Sequence, residues 1–327
     1  MARVVVVFTG GTISMAFDPQ AGGNVPALDG AAILARTPGL DTIAEVVPIE
    51  RGRTPASHFT FADLGSIWRD IAAGLADPDV AGVVVVQGTD TIEETAFAWD
   101  LASVAPRPVV VTGAMRASHE PDFDGPANLR DAVALASSPD MRGMGVVVTL
   151  AGTIEPADDV AKMHTTAFDA FRSPNRGRLG QVADGLVSVE RVRGPRRHVP
   201  IDRSVERIHL VMAGIATDGA LLDAAVAAGA DGIVVAATGS GNTSPGLLAA
   251  ARRAISRQIP VVLASRCPSG PVGTAYAFPG GGATWVRAGA IPAGSLCAIK
   301  ARVALAYGVG AGLAPDDLAS LLADPLP

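Results

Sequence analysis

The stretch Arg3-Val4-Val5-Val6-Val7-Phe8, running into Thr9-Gly10-Gly11-Thr12-Ile13, decides the fold. Five consecutive apolar residues, four of them β-branched, read as a strand covered on both faces, as in the middle of a parallel sheet. The run stops at two glycines flanked by threonines, where the backbone can turn sharply and a ligand can approach the main chain. Ligands of open α/β sheets bind outside the carboxyl ends of the strands. The hydroxyl of Thr12 is therefore expected at the mouth of such a crevice and is the candidate nucleophile.

The same pattern recurs along the chain. Strands are expected at Ile43–Ile49, Gly82–Val86, Val109–Val111 and Gly145–Leu150. Helices are expected over Asp29–Arg36, Thr60–Leu75 (Phe61, Leu64, Trp68, Ile71 and Leu75 on one face), Ile92–Val104 and Asn128–Ala136. The polar, glycine-rich tract Ser14–Pro26 has no clear period and reads as a mobile flap over Thr12. Gly194–Asp202, with two prolines and adjacent charges, reads as part of a linker. Beyond it the alternation resumes: strands Ile208–Val211, Gly232–Ala236 and Pro260–Ala264, and helices Ala220–Ala228 and Pro245–Arg257. A long glycine-rich loop to Gly282 and closing helices near Ser295–Tyr307 and Pro315–Leu322 complete it. The fold class is thus α/β with two α/β domains: a larger N-terminal one with a mainly parallel sheet, residues 1–193, and a smaller C-terminal one, 207–327, joined by a linker at 194–206.

Composition narrows the function classes. The 327 residues carry a formal net charge of −6, which disfavours a nucleic-acid binder with its basic face. No apolar stretch is long enough to span a bilayer. Two cysteines, Cys267 and Cys297, suit a reduced compartment, and the N-terminus enters a strand at once without the regions of a signal peptide, so a cytoplasmic location is expected. The five histidines have no metal-ligand spacing, and neither metal nor cofactor is expected.

Among the loops, Thr9–Thr12 lacks both nucleotide fingerprints, and a tight turn with satisfied hydroxyls explains it as well as catalysis does. Gln87-Gly88-Thr89-Asp90-Thr91 sets a hydroxyl beside a carboxylate at a strand end; a plain helix N-cap is the alternative. Lys162 is one of only two lysines, with Lys300, in an arginine-rich chain. A lysine in a crevice can act as a base or polarise a hydroxyl, although a surface position is its commoner fate.

Thr9–Ile13, Gln87–Thr91, Thr112-Gly113-Ala114-Met115-Arg116, Lys162 and Gly239-Ser240-Gly241-Asn242, in this order and at these separations, resemble the bacterial-type L-asparaginases, from Arg3 to about Leu322. The resemblance implies hydrolysis of L-asparagine to L-aspartate and ammonia, oligomers (usually dimers of dimers), and active sites formed where subunits meet. It implies that Thr12 attacks the side-chain amide and forms an acyl-enzyme. Thr89, Asp90 and Lys162 would form a second catalytic constellation, with Asp90 also holding the α-ammonium. Ser57 would grip the α-carboxylate, with Gly11, His58 and backbone groups at Gly88 and Ala114 completing the substrate cradle. Asn242 would reach in from a partner's C-terminal domain. Three departures stand out. The flap tyrosine expected near Gly22–Val25 is missing, with Asn24 about there. His58 replaces a common glutamine. The acid usually lent by the partner has no counterpart in Thr274–Phe278, where Tyr276 lies closest; Tyr276 from a partner subunit, or a water, is expected to replace the flap tyrosine in activating Thr12. A broader asparaginase-glutaminase, an amidase for a larger amide, and a non-catalytic amino-acid-binding protein on the same scaffold are the other readings; the absence of a basic stripe disfavours a charged tRNA as substrate.

Overall fold

The computed structural model describes residues 1–183 and 185–324. Asp184 of the expected N-terminal domain and residues 325–327 of the expected C-terminal one lie outside them. The chain divides into two compact units, Met1–Gly194 and Pro195–Pro327.

In the first unit the elements run β1 (Arg3–Phe8), β2 (Met15–Asp18), β3 (Gly23–Pro26), α1 (Gly30–Ala35), β4 (Glu45–Glu50), α2 (Phe61–Ala76), β5 (Val80–Val86) and α3 (Ile92–Ala102). They continue with β6 (Val109–Thr112), α4 (Gly125–Ser137), β7 (Val146–Val148), β8 (Thr153–Pro156), β9 (Ala161–Lys162), β10 (Phe171–Arg172), β11 (Gly180–Ala183) and β12 (Leu186–Val189). The main sheet has the order β12-β11-β8-β7-β6-β5-β1-β4. From β4 to β7 all pairs are parallel, and from β7 to β12 all are antiparallel. The opening valine run is as expected: Val4, Val6, Val7 and Phe8 are essentially sealed from solvent. Alternate residues serve opposite faces. Val4, Val6, Phe8, Val84, Val86, Val110 and Val147 share a core with Ile33 of α1 and with Leu129, Val133 and Leu135 of α4. On the other face α2 and α3 pack together, and the Trp99 indole of α3 donates to the Leu64 carbonyl of α2 at 3.1 Å. Helices on both faces of a parallel sheet give the doubly wound form.

The second unit contains β13 (Ile208–Met212), α5 (Ala220–Ala227), β14 (Gly232–Ala237), α6 (Pro245–Ser256), β15 (Val261–Ser265), α7 (Gly282–Arg287), β16 (Ile291–Pro292), α8 (Ala298–Gly310) and α9 (Pro315–Leu322). Its four strands are parallel in sequence order. Trp285 of α7 is fully buried in a core with Leu222, Ile233, Leu247 and Leu263.

Three local expectations are corrected. Ser14–Pro26 is not irregular: β2 and β3 pair as an antiparallel hairpin. Its turn is closed by the Asp18 carboxylate, which accepts from Gln20 N at 2.7 Å. On α2 the buried stripe uses Ile67, whereas Trp68 is only half-buried. The glycine-rich loop ends in α7, with β16 after it, where glycines had masked the period. The segment read as the start of the linker packs within the second unit from Pro195 onward. Val199 and Ile201 are buried, and Arg197 donates to the Ala323 carbonyl at 2.9 Å.

Candidate active site

Parallel register sets the level at which the loops begin. Phe8 pairs with Glu50 and Val86, and Val86 with Thr112, so Arg51, Thr9, Gln87 and Gly113 start side by side. After β1 the chain goes to β4 on one side, and then crosses back to β5 on the other. The ends of β1 and β5 are thus a topological switch point, where such sheets leave a crevice.

The turns at that point touch backbone to backbone. A Cβ on Gly11 would fall 2.1 Å from Gly88 N, and Gly11 has φ 93° and ψ −170°, a region essentially reserved for glycine. A Cβ on Gly113 would meet the Gln87 carbonyl oxygen at 2.4 Å. Glycine at these two positions lets the loops after β1, β5 and β6 close up, so the residues next to them share one neighbourhood.

Thr12 opens a short 3₁₀ turn and is half-buried. Its hydroxyl makes no hydrogen bond among the described residues. The hairpin that follows is stapled to the 117–120 turn, with the Ser118 hydroxyl donating to the Met15 carbonyl at 2.7 Å.

Thr89 and Asp90 lie in the 3₁₀ turn leading into α3. Thr89 is 5% exposed and Asp90 is exposed. Lys162, on the two-stranded ribbon β9–β10, packs against α3. Its ammonium donates to Thr89 Oγ1 at 2.9 Å and to Asp90 Oδ1 at 3.2 Å. Lys162 is thus no surface lysine, and the Thr89-Asp90 pair does more than cap a helix: the Thr91 and Gly88 positions flanking it make no side-chain cap. Because the lysine fills one lone pair of Thr89 Oγ1, the threonine proton stays free to donate to a third group.

Ser57 and His58 are exposed in a 3₁₀ turn, Ala56–His58, that leans on the same cluster. The Thr91 hydroxyl donates to the Ala56 carbonyl at 3.1 Å, and a Cβ on Gly88 would touch Ala56 Cβ. Ala114 is fully buried beside Gly113. Thr12, Thr89, Asp90, Lys162, Gly11, Gly88, Ala114, Ser57 and His58 therefore all belong to the first unit, on loops that contact one another in a chain. Asn242 and Tyr276 belong to the second unit. Asn242 sits in a bridge to Thr238, and its Oδ1 is buried without a partner among the described residues. Tyr276 is half-exposed, its ring centroid 5.8 Å from that of Phe278.

Several residues that hold this site escape a motif search. Asp124 accepts from Met115 N and Arg116 N at 3.0 and 2.9 Å, and Asn128 donates to the Gly113 carbonyl at 3.0 Å. Together they fix the 113–116 loop. Thr95 donates to Gln87 Oε1 at 2.9 Å, locking the buried glutamine that precedes Gly88. Arg116 donates to the Thr166 carbonyl at 2.8 Å and lies 4.3 Å over the Phe168 ring, which ties the 113–116 loop to the loop after Lys162. The partners are far apart in sequence; the only local sign is the Asp124/Asn128 spacing of one helical turn. Among the described residues no group of three or more His, Cys, Asp or Glu could hold a metal, and no helix is long and apolar enough to cross a membrane.

Comparison with known proteins shows the family. Residues 3–193 match the family model "Asparaginase, N-terminal", and residues 207–322 match "Glutaminase/Asparaginase C-terminal domain". The chain is 37% identical to a probable L-asparaginase of Deinococcus radiodurans over 97% of this chain and 96% of that protein. It is 32% identical to a glutaminase-asparaginase of Pseudomonas fluorescens biotype A over 83% and 77% of the two chains. Among solved structures it resembles the probable cytoplasmic L-asparaginase of Campylobacter jejuni, with a TM-score of 0.88, 27% identity, and 98% and 99% of the two chains covered. Two family models that between them take in nearly the whole chain, and relatives sharing a third of its residues, place it in one family: the chain belongs to the asparaginases.

Proposed function

We propose that the protein is an L-asparagine amidohydrolase, releasing ammonia and L-aspartate through an acyl-enzyme on Thr12. The observation that carries this reading is the Lys162–Thr89–Asp90 hydrogen-bonded cluster in a crevice shared with a threonine whose hydroxyl is unengaged. Chemically, the two threonines divide the work. Thr12 supplies the nucleophile, which forms a bond to the amide carbon while ammonia leaves; water then cleaves the ester. Thr89, polarised by Lys162, moves protons to and from the attacking and leaving groups. The carboxylate of Asp90 suits the α-ammonium of the substrate, and the Ser57 hydroxyl and Gly88 N–H suit its α-carboxylate. Backbone groups at Ala114 and Gly11 serve the amide and its developing oxyanion. Asn242 and Tyr276 act from a second subunit, Tyr276 taking the place of the absent flap tyrosine, in an assembly proposed as a dimer of dimers. The division into a catalytic domain 1–193, a linker 194–206 and a C-terminal domain 207–327 belongs to the same proposal. So does a cytoplasmic location, supported by Cys267 and Cys297, which form no disulfide among the described residues. No cofactor, nucleic acid or membrane enters the scheme.

A glutaminase activity alongside is the second reading, favoured by the glutaminase-asparaginase relative. One methylene is worth only about 1–3 kcal/mol in a pocket. Ammonia release from L-asparagine and from L-glutamine, by wild type and Thr12→Ala, tests both. Turnover of asparagine that Thr12→Ala abolishes is expected. Equal release by the variant sinks the nucleophile assignment, and no release by the wild type sinks the activity.

A further inference from the structure

The geometry points to Arg193 as a positioning residue that keeps Lys162 within hydrogen-bonding reach of Thr89, through a buried clamp on Asp100 and Asp158. This rests on the Thr12/Thr89 reading of the site, and adds to it a group with no contact to substrate.

Two separate elements must be held together for the Lys162–Thr89 contact to exist. Thr89 and Asp90 lead directly into α3, and Asp100 is on the last turn of that helix, about 15 Å further along its axis. Lys162 follows Asp158 by four residues, in a connection that leaves the main sheet after β8. At the far end Arg193 joins these two pieces through its side chain. Its side chain is 4% exposed. Nη2 lies 2.6 Å from Asp100 Oδ2 and 2.7 Å from Asp158 Oδ1. Nη1 donates to Asp100 Oδ1 at 2.8 Å and to the Met144 carbonyl at 3.0 Å. The fork is thus bidentate to the helix and reaches across to the Lys162 strap, a geometry a lysine cannot copy. Arg176, 2.5 Å from Asp158 Oδ2, supplies the second positive charge for the two carboxylates. Burial works against the charged guanidinium, yet Asp100 and Asp158 hold its pKa above the ordinary arginine value, so it stays ionised.

The strap is also fixed on its other side. The Asp159 carboxylate accepts from Asn175 Nδ2 at 2.8 Å and Arg176 N at 2.6 Å, and the Met163 amide donates to the Ala170 carbonyl at 2.7 Å. The ribbon is therefore internally rigid, and what remains to be set is its placement on α3. That is the degree of freedom Arg193 removes. A displacement of about 1 Å at a catalytic contact can cost on the order of 10²-fold in rate.

The test uses Arg193→Met and the milder Asp158→Asn, which leaves the Arg193–Asp100 pair in place and frees only the strap. In both, kcat on L-asparagine per folded protein is expected to fall on the order of 10²-fold with KM unchanged. In a Lys162→Met background neither substitution is expected to lower kcat further, since there is then nothing to position. A loss of equal size in both backgrounds overturns the inference, because the clamp then acts on turnover by a route that does not pass through Lys162. A readout independent of catalysis separates this from the activity assignment. Lysine labelled with ¹³C at Cε yields signals from Lys162 and Lys300 alone, assigned with Lys162→Met. The Lys162 signal is expected to move in Arg193→Met and Asp158→Asn to its position in Thr89→Val, with Lys300 unmoved. A Lys162 signal that stays in place refutes the positioning role even if the enzyme is active; one that moves in a protein without asparaginase activity upholds it and refutes the activity instead.

Discussion

The two threonine turns of the crevice are built on opposite plans. Thr89 is sealed and wired: it is buried, it accepts from Lys162, and its neighbours Gln87 and Thr91 are hydrogen-bonded to α3 and to the Ala56 carbonyl. Thr12 lies one strand away on an equally tight turn, yet its hydroxyl has no partner among the described residues, and the chain after it leaves at once as a hairpin. The difference fits the proposed two-alcohol mechanism. A group that shuttles protons must hold its proton path in place before substrate arrives. A nucleophile that accepts hydrogen bonds from the protein would have its lone pairs occupied before it could attack.

The sharpest way to break that contrast is to ask which threonine carries the acyl group. Acid-quenched enzyme analysed by peptide mass spectrometry during turnover of L-asparagine is expected to carry the aspartyl adduct on the Thr12 peptide and not on the Thr89 peptide. Thr12→Val should remove the adduct and lower kcat by roughly 10⁴-fold or more, as loss of a nucleophile does. An adduct on Thr89 would exchange the two roles.

Lys162→Met comes next. Loss of general acid–base help typically costs about 10²–10⁴-fold. The loss should fall on kcat more than on KM for asparagine, measured by initial-rate kinetics, because Lys162 donates to Thr89, the proposed proton-moving group. A rise in KM alone would make Lys162 a substrate-binding residue instead.

Much of the frame behind these residues is legible in the sequence, for a physical reason. A doubly covered parallel sheet leaves uninterrupted valine runs, and each run ends in one of the loops that meet at the crevice, so Thr9–Thr12, Gln87–Thr91 and Thr112–Arg116 announce themselves. What stays hidden is held together across sequence distance. The antiparallel strands β8 to β12 are short and lack an apolar run. The β2–β3 hairpin rests on its own pairing and on Ser118, about a hundred residues later. That Lys162 meets Thr89 is invisible locally; its rarity was a hint, and only the resemblance tied the two together. Arg193 has no local sign, and Asp124 and Asn128 have only their spacing of one helical turn, since an acid, an amide and an arginine in polar stretches look like ordinary surface.

The closeness of the two turns can itself be challenged by stability. Gly11→Ala sets a Cβ 2.1 Å from Gly88 N in a glycine-only conformation. Backbone strain of about 1–3 kcal/mol and overpacking of a similar size should add to a loss of roughly 2–6 kcal/mol in chemical denaturation. Gly23→Ala on the hairpin, where an added Cβ meets nothing within 4 Å, is the control and should cost far less. Equal costs would mean that the turns can part without effect.

The smallest effect concerns a residue on the scaffold under the 113–116 loop. Asp131 lies on α4, three residues after Asn128, and burial pushes its carboxyl up to about 6 while Arg130 pulls the other way. A carboxyl raised in the folded state binds its proton more tightly there than in the unfolded chain. Its contribution therefore favours folding below about pH 4, and becomes unfavourable as pH rises through about 6. Asp131→Asn should leave stability at pH 4 nearly unchanged, and raise it at pH 7.5 by about 1 kcal/mol at most, since the group is partly solvated and screening discounts the shift. Thermal melts at the two pH values check the sign. A variant less stable at pH 7.5 would mean that the ionised carboxylate is held by a favourable partner, and α4 would then support the 113–116 loop through charge at Asp131 as well as through the amide of Asn128.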